Sequence, residues 1–181
     1  MNCFPMFIDL QDREVLVCGS GSRAEEKIRQ LIPYGPRITV IGDGFSELDL
    51  ASHPVFVVAA SNREENRRIA GICRRAHIPV NAVDQPEDCD FVFPAILKEG
   101  DLTVAIGTNG KSPAAAAELR KRIAVQIPGN VAEILTWLSD LRQKMKDMVP
   151  ALRRQAMGRI VQEAFRENRP LTREEVEDIC K

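Results

Sequence analysis

The chain contains no apolar run approaching the roughly 18 residues that a membrane-crossing helix needs. It has two histidines, one tryptophan and one tyrosine, and aromatic residues make up 5% of the whole. None of its five cysteines (Cys3, Cys18, Cys73, Cys89 and Cys180) stands in a C-x-x-C pair, so neither a zinc motif nor a redox dithiol is present. No metal ligand is assigned. Scattered thiols in odd number argue against a disulfide framework and for a reducing compartment. The opening MNCFPMFIDL has no basic segment followed by a long apolar one, so no secretory leader is expected and a cytoplasmic location is. With a net charge of −1 and no interleaving of aromatic and basic residues, neither nucleic acid nor membrane is an expected partner. No internal repeat or low-complexity tract is visible.

What is present is a soluble globular composition, 44% hydrophobic and 28% charged over 181 residues. That length suffices for one ordinary domain, or for a domain with a helical appendage, built on a real apolar core. The acidic excess lies in residues 1–110 and the basic excess in residues 111–181. A mildly basic C-terminal part favours an anionic small molecule, or else reflects solvated helix faces.

Residues 15–18 (VLVC) form a short apolar run, rich in β-branched residues, that predicts a buried strand. Ala24, Ile28, Leu31 and Ile32 then recur at helical spacing. Ser22 and Glu25 suggest a capping box at the start of that helix, and Pro33 and Gly35 end it. ITVI (38–41), VFVVA (55–59) and VNAV (80–83) predict further strands, with an amphipathic helix from Asn66 to Ala76. VFPAI around residue 94 and LTVAI at 102–106 are also strand-like. The alternation predicts an α/β, Rossmann-like, doubly wound parallel sheet. From Ser112, a good N-cap before Pro113, only helices are expected: Ala114 to Val125, about 131–147, one after Pro150, and one capped by Thr172 and Glu175. The expected division is a Rossmann-like domain over 1–111 and an all-helical region over 112–181.

Gly19-Ser20-Gly21-Ser22-Arg23-Ala24 fits G-x-G-x-x-A, a variant of the dinucleotide fingerprint, with the required strand before it and helix after it. Gly19 permits the tight turn, Gly21 lets backbone approach a pyrophosphate, and Ala24 lets the helix lie close to the sheet. The helix N-terminus offers its unpaired amides to phosphate. Asp43, just after the second strand, stands where a ribose-binding acid is expected and favours NAD over NADP. Asp43-Gly44 also reads as a simple turn. Ala60 and Ser61, after the third strand, complete the candidate cofactor set.

Three stretches carry a more specific pattern. The opening FPMFIDLQDREVLVCGSGSRAEEK, with Lys27 one turn into the helix, resembles the start of the precorrin-2 dehydrogenase family, the NAD-binding module also found at the N-terminus of sirohaem synthase. PVNAVDQPEDCDFVFPA and TVAIGTNGKSPAAAAELRKRI resemble two later segments of that family. The resemblance covers roughly residues 4–147. It implies NAD as cofactor, precorrin-2 as substrate, sirohydrochlorin as product and, in some members, iron insertion. It also implies a homodimer, whose contact is formed by the segment after the sheet; the apolar stripe 131–141 with Trp137 suits that role, or packs on its own sheet.

Asp84 matches the family's catalytic carboxylate. It closes a strand, where open α/β sheets bind ligands, and a carboxylate there can act as general base. By itself the same residue also reads as a turn Asp beside Pro86. Asp90 is a second, weaker candidate. The turn Thr108-Asn109-Gly110-Lys111-Ser112, together with Arg120 and Arg122, is the candidate substrate-carboxylate site. Alternatively Ser112 is a plain helix cap and the basic residues are solvated. His53 and His77 read as turn or helix-end residues.

The chain departs from the family pattern in having Ser20 and Asn109 for glycines, and in one deletion. Between ITVIGDG and PVFVVAAS it keeps only FSELDLASH, where the family has a further helix and strand. The expected consequence is loss of an outer strand and a more open adenosine side. That shortening motivates an alternative function: a non-catalytic NAD- or tetrapyrrole-binding protein that regulates the haem or sirohaem pathway.

Overall fold

Val15, Leu16, Val17 and Cys18 are apolar without interruption, and the structure gives them no exposed face. The structure, a computed structural model, describes residues 2–180. Its first strand is β1 (Glu14–Cys18), followed by β2 (Arg37–Ile41), β3 (Val57–Ala59) and β4 (Val80–Ala82). These form one parallel sheet in the order β2-β1-β3-β4. Helix α1 (Ser22–Leu31) links β1 to β2, and α2 (Arg63–Arg75) links β3 to β4.

The alternation of side chains along a strand assigns the two helices to opposite faces. Val15, Val17 and Val58 pack with Ala24 and Leu31 of α1, whereas Leu16, Cys18, Val57, Ala59 and Val80 pack with Ile69, Ile72 and Cys73 of α2. Each buried Val, Leu or Ile among them contributes about 1.5–3 kcal/mol, so the doubly wound arrangement follows from where the apolar residues lie.

The shortened stretch after β2 holds no strand. Glu47–Ser52 is a short 3-10 helix closed by a capping box between Ser46 and Asp49, and it buries Leu50 beside Phe45 in the α2-side core. The expected loss of an outer strand is thus observed, and β2 is left at the sheet edge. The opposite edge, β4, is covered by its own downstream chain. Asp90 accepts the Val80 N–H at 3.0 Å, and Cys89 Sγ lies 3.2 Å from the Ala82 N and 3.1 Å from its carbonyl. The Asp90 N–H donates back to Val80 O.

Two expectations need correction. The strands expected near residue 94 and at 102–106 do not extend the parallel sheet. They form a separate antiparallel hairpin, β5 (Ala95–Glu99) with β6 (Leu102–Ile106). The reason is connection length: Gly100 and Asp101 suffice for a hairpin, whereas parallel neighbours need a crossover of about a dozen residues. Ser22 and Glu25 form no capping box, because Gly21 is the N-cap and no side chain caps α1. The chain forms two compact units that divide after Phe93, and the hairpin falls with the helices.

In the second unit Ser112 caps α3 (Pro113–Gln126), its Oγ accepting the Ala115 N–H at 3.1 Å. Helices α4 (Val131–Lys144), α5 (Pro150–Glu167) and α6 (Arg173–Cys180) follow. Ile134 and Leu138 of α4 are buried among Ala156, Ile160 and Ala164 of α5, with Trp137 and Leu141 packed beside them. The 131–141 stripe therefore finds its cover within its own unit. Thr172 and Glu175 form the expected capping box, and Arg169 grips the Glu175 carboxylate with both terminal nitrogens, at 2.7 and 3.0 Å. That grip and the Thr172 amide hold the Glu175 carboxyl well down, at about 2. None of the helices among the described residues is long and apolar enough to cross a membrane.

The thiols Cys18 and Cys73 sit in the α2-side core, and burial pushes them up to about 12 and about 11. In the native protein at about pH 8, near the ordinary thiol range, iodoacetamide is expected to label the exposed Cys3 and Cys180 and to spare Cys18 and Cys73 until the chain is unfolded. Peptide mass mapping before and after denaturation checks this; native labelling of Cys18 would contradict the packing.

Candidate functional site

The carboxyl ends of β1, β2 and β3 open on one cleft of about 430 Å³. Gly19, Ser20, Gly21, Ser22 and Arg23 line it from the turn after β1, Gly42 and Asp43 from the end of β2, and Ala60, Ser61 and Asn62 from the end of β3. Two glycines are required by geometry. At Gly19 (φ 119) a Cβ would lie 2.6 Å from the Ala60 carbonyl oxygen, so only hydrogen fits. At Gly21 (φ 86) a Cβ would meet no atom within 4 Å, so the bare backbone faces open space.

The first bond of α1 runs from Glu25 N–H to Gly21 O, which leaves the amides of Ser22, Arg23 and Ala24 without helical partners. An anion at this helix start would meet those amides and the positive end of the helix dipole. Ala24 does not line the cleft. It is buried on the face of α1 against the sheet, the small residue that permits close helix–strand contact.

Asn66 escaped the sequence reading. Nearly fully buried in α2, it accepts the Ser61 N–H through Oδ1 at 2.8 Å and directs Nδ2 at the Val83 carbonyl, 3.5 Å away. It thereby ties the end of β3 to the end of β4. The available signal was its place one helical turn before Ile69 on the apolar stripe, where a polar residue needs a partner. Gly42 and Asn62 were also missed; Asn62 caps α2 by accepting the Glu65 N–H at 3.0 Å.

Asp84 follows β4 with φ 62, its side chain 69% exposed. It is not part of the cleft wall, but its Oδ2 lies 3.2 Å from Nε of Arg23, which is. The turn carrying it is held from below. Gln85, buried, donates to the Arg63 carbonyl at 3.1 Å and to Asp88 at 3.2 Å, and Asp88 in turn meets Arg67 and Arg74. Asp90, the weaker catalytic candidate, is occupied in covering the β4 edge and faces Arg74 at 3.7 Å. Beyond it Phe91 and Phe93 stack with Phe56, and Lys27 Nζ sits 4.7 Å from the Phe93 ring centre.

The 108–112 turn belongs to the second unit. Asn109 and Gly110 both have positive φ (51 and 77), and the Lys111 N–H closes the turn on Thr108 O at 3.0 Å. Thr108 Oγ1 accepts the Ser112 N–H at 3.3 Å and donates to the Ser112 carbonyl at 3.1 Å. Lys111 and Arg120 are exposed, and Arg122 is paired with Glu118 at 2.9 Å. His53 and His77 both occupy left-handed turn positions. Among the described residues no group of three or more His, Cys, Asp or Glu is arranged to hold a metal ion.

Two families match the chain: one described as "Putative NAD(P)-binding" over residues 6–95, and one described as "Sirohaem biosynthesis protein central" over residues 99–126. The chain is similar to the siroheme synthase of Methylococcus capsulatus, 32% identical over 170 residues, covering 83% of this chain and 36% of that protein. It is likewise similar to the siroheme synthase of Thioalkalivibrio sulfidiphilus, 31% identical over 184 residues, covering 90% of this chain and 38% of the relative. The chain thus spans little more than a third of the curated relatives it matches. Among solved structures it shares its fold with SirC, a precorrin-2 dehydrogenase, at a TM-score of 0.70 and 19% identity, covering 98% of this chain and 96% of that one.

Replacing Asn66 with Leu keeps the volume and removes both hydrogen bonds, leaving the Ser61 amide without its acceptor. A loss of about 1–3 kcal/mol in unfolding free energy is expected, read from urea denaturation. An unchanged midpoint would show that the Ser61 and Val83 contacts carry no weight.

Proposed function

We propose that the chain belongs with the NAD(P)-binding modules of sirohaem biosynthesis and that it oxidises precorrin-2 to sirohydrochlorin. The observation that carries this reading is the placement of Asp84 against Arg23, a wall residue of the glycine-turn cleft, at 3.2 Å. A potential proton acceptor and a dinucleotide cradle adjoin one another at the carboxyl ends of the same parallel strands.

The cradle fits a dinucleotide on its own geometry. Gly21 leaves room for a pyrophosphate to reach backbone, and the amides of Ser22, Arg23 and Ala24 supply donors. Asp43, in the cleft wall beyond β2, is placed to accept from a ribose hydroxyl and would repel a 2′-phosphate, so NAD is the assigned cofactor. Ser20, Ala60 and Ser61 complete the wall. Bound NAD supplies a hydride acceptor.

The substrate must lose a proton along with the hydride. Asp84, exposed at the strand end and acceptor-only when ionised, takes that proton as general base. Arg120, Lys111 and the 108–112 turn are assigned to the substrate's carboxylates, since exposed cations and a helix N-terminus are what such groups bind. A homodimer is the assigned working form, with the exposed Leu119 and Val125 of α3 as apolar surface available to a second copy. A cytoplasmic setting goes with this reading, since an exposed thiol such as Cys180 persists where the compartment is reducing.

Purified protein incubated anaerobically with precorrin-2 should produce sirohydrochlorin absorbance with NAD and far less with NADP. Asp84→Asn should lower the rate by about 10² or more while dinucleotide binding persists. A folded protein that binds NAD without turnover would instead be a regulatory binder, the reading that the shortened segment after Asp43 favours. Light scattering should return twice the 20.2 kDa chain mass; a monomer would remove the dimer assignment.

A further inference from the structure

Arg23 stands at a free position of the fingerprint, between Gly21 and Ala24, where backbone geometry demands no particular side chain. It nevertheless serves two neighbours. It lines the glycine-turn cleft, and its Nε reaches Asp84 Oδ2 at 3.2 Å. The two side chains are 58% and 69% exposed, so water competes at both ends and the pair is shallow. A guanidinium binds a pyrophosphate through two parallel hydrogen bonds, more strongly than it holds a carboxylate in a solvated ion pair. Beside the start of α1, with its unpartnered amides, the balance tilts further toward the phosphate.

We propose that Arg23 exchanges partners, holding Asp84 while the cleft is free and turning to the pyrophosphate when the dinucleotide binds, so that the Asp84 carboxylate is released for the proton. The proposal rests on the dinucleotide reading of the cleft. It makes Arg23 a ligand of the cofactor and a positioning residue for Asp84, and it gives the reaction an order: dinucleotide first, then a base free to act. No bond is made or broken in the exchange; one ion pair replaces another.

The linkage is readable without turnover. If Arg23 must leave Asp84 to reach the phosphates, removing the Asp84 charge lowers the cost of binding. Calorimetric titration of NAD into the full chain should give an affinity for Asp84→Asn roughly two- to five-fold tighter than for the parent, the range an exposed ion pair supplies. Arg23→Leu should bind more weakly than the parent, with Arg23→Lys between them. In the double variant the gain from Asp84→Asn should vanish, because its route through Arg23 is gone.

A gain that persists in the Arg23→Leu background would mean that Asp84 merely repels the phosphates, and would overturn the exchange. So would an Asp84→Asn affinity equal to the parent's. If the parent itself binds no NAD, the dinucleotide reading fails and the exchange with it, a result separate from either of these. Both side chains are exposed, so the variants should melt with the parent in circular dichroism, which shows that lost affinity is not lost folding.

Discussion

The close approach of two chain segments at the ends of β1 and β3 governs the first unit. Gly19 lies against the Ala60–Ser61 backbone so tightly that a methyl group could not be placed between them. That contact continues the β1–β3 pairing past its last registered residues, Cys18 and Ala59, through the bond from Ala60 N–H to Cys18 O. It turns the chain sharply enough for α1 to begin at once and brings three strand ends around one cleft. The dinucleotide cradle is the space that this turn leaves open.

Around that contact the structure replaces missing regular elements with side chains. Among the described residues no strand flanks β4, and Asp90 and Cys89 take over the hydrogen bonding that a neighbour would supply. An exposed strand edge invites association with other strands, and a carboxylate and a thiol fixed across it close that route. No strand flanks β2 either, and the segment that would have formed one is reduced to a 3-10 helix whose Leu50 completes the core below. Asn66, buried between two strand ends, does with one amide what a longer ladder would otherwise do.

The polar residues that bear on chemistry are arranged by depth. Gln85 and Asp88 are buried and fixed by several partners, and they hold the turn. Asp84 and Arg23 are exposed and form an ion pair with each other. A rigid base under a loosely held charge pair is the arrangement that a residue needing to change partners requires, since weak surface pairs are exchanged at little cost.

Much of this was legible in the chain. The four strand runs, the G-x-G-x-x-A turn with its strand and helix, the caps at Ser112 and Thr172 and the absent outer strand are local patterns, set by residue type and spacing over a few positions. The candidate cofactor residues other than Ala24 fell on the cleft because they lie in the turns and the helix start that follow strands, and strand ends gather wherever a parallel sheet forms. What sequence spacing could not decide was partnership between distant segments. VFPAI and LTVAI read as strands of any sheet until a two-residue turn made them a hairpin with each other. Ser22 looked like a cap, but the turn at Gly21 took that role for backbone. Asn66 looked like the polar start of a helix, and Arg23 like one more residue of the cofactor turn. The first meets Val83 and the second Asp84, residues far along the chain that only the winding of the sheet brings within a few ångströms. Local conformation depends on the chemistry of neighbours in sequence, whereas a hydrogen bond or ion pair depends on distance in space, and that distance exists only once the fold has formed.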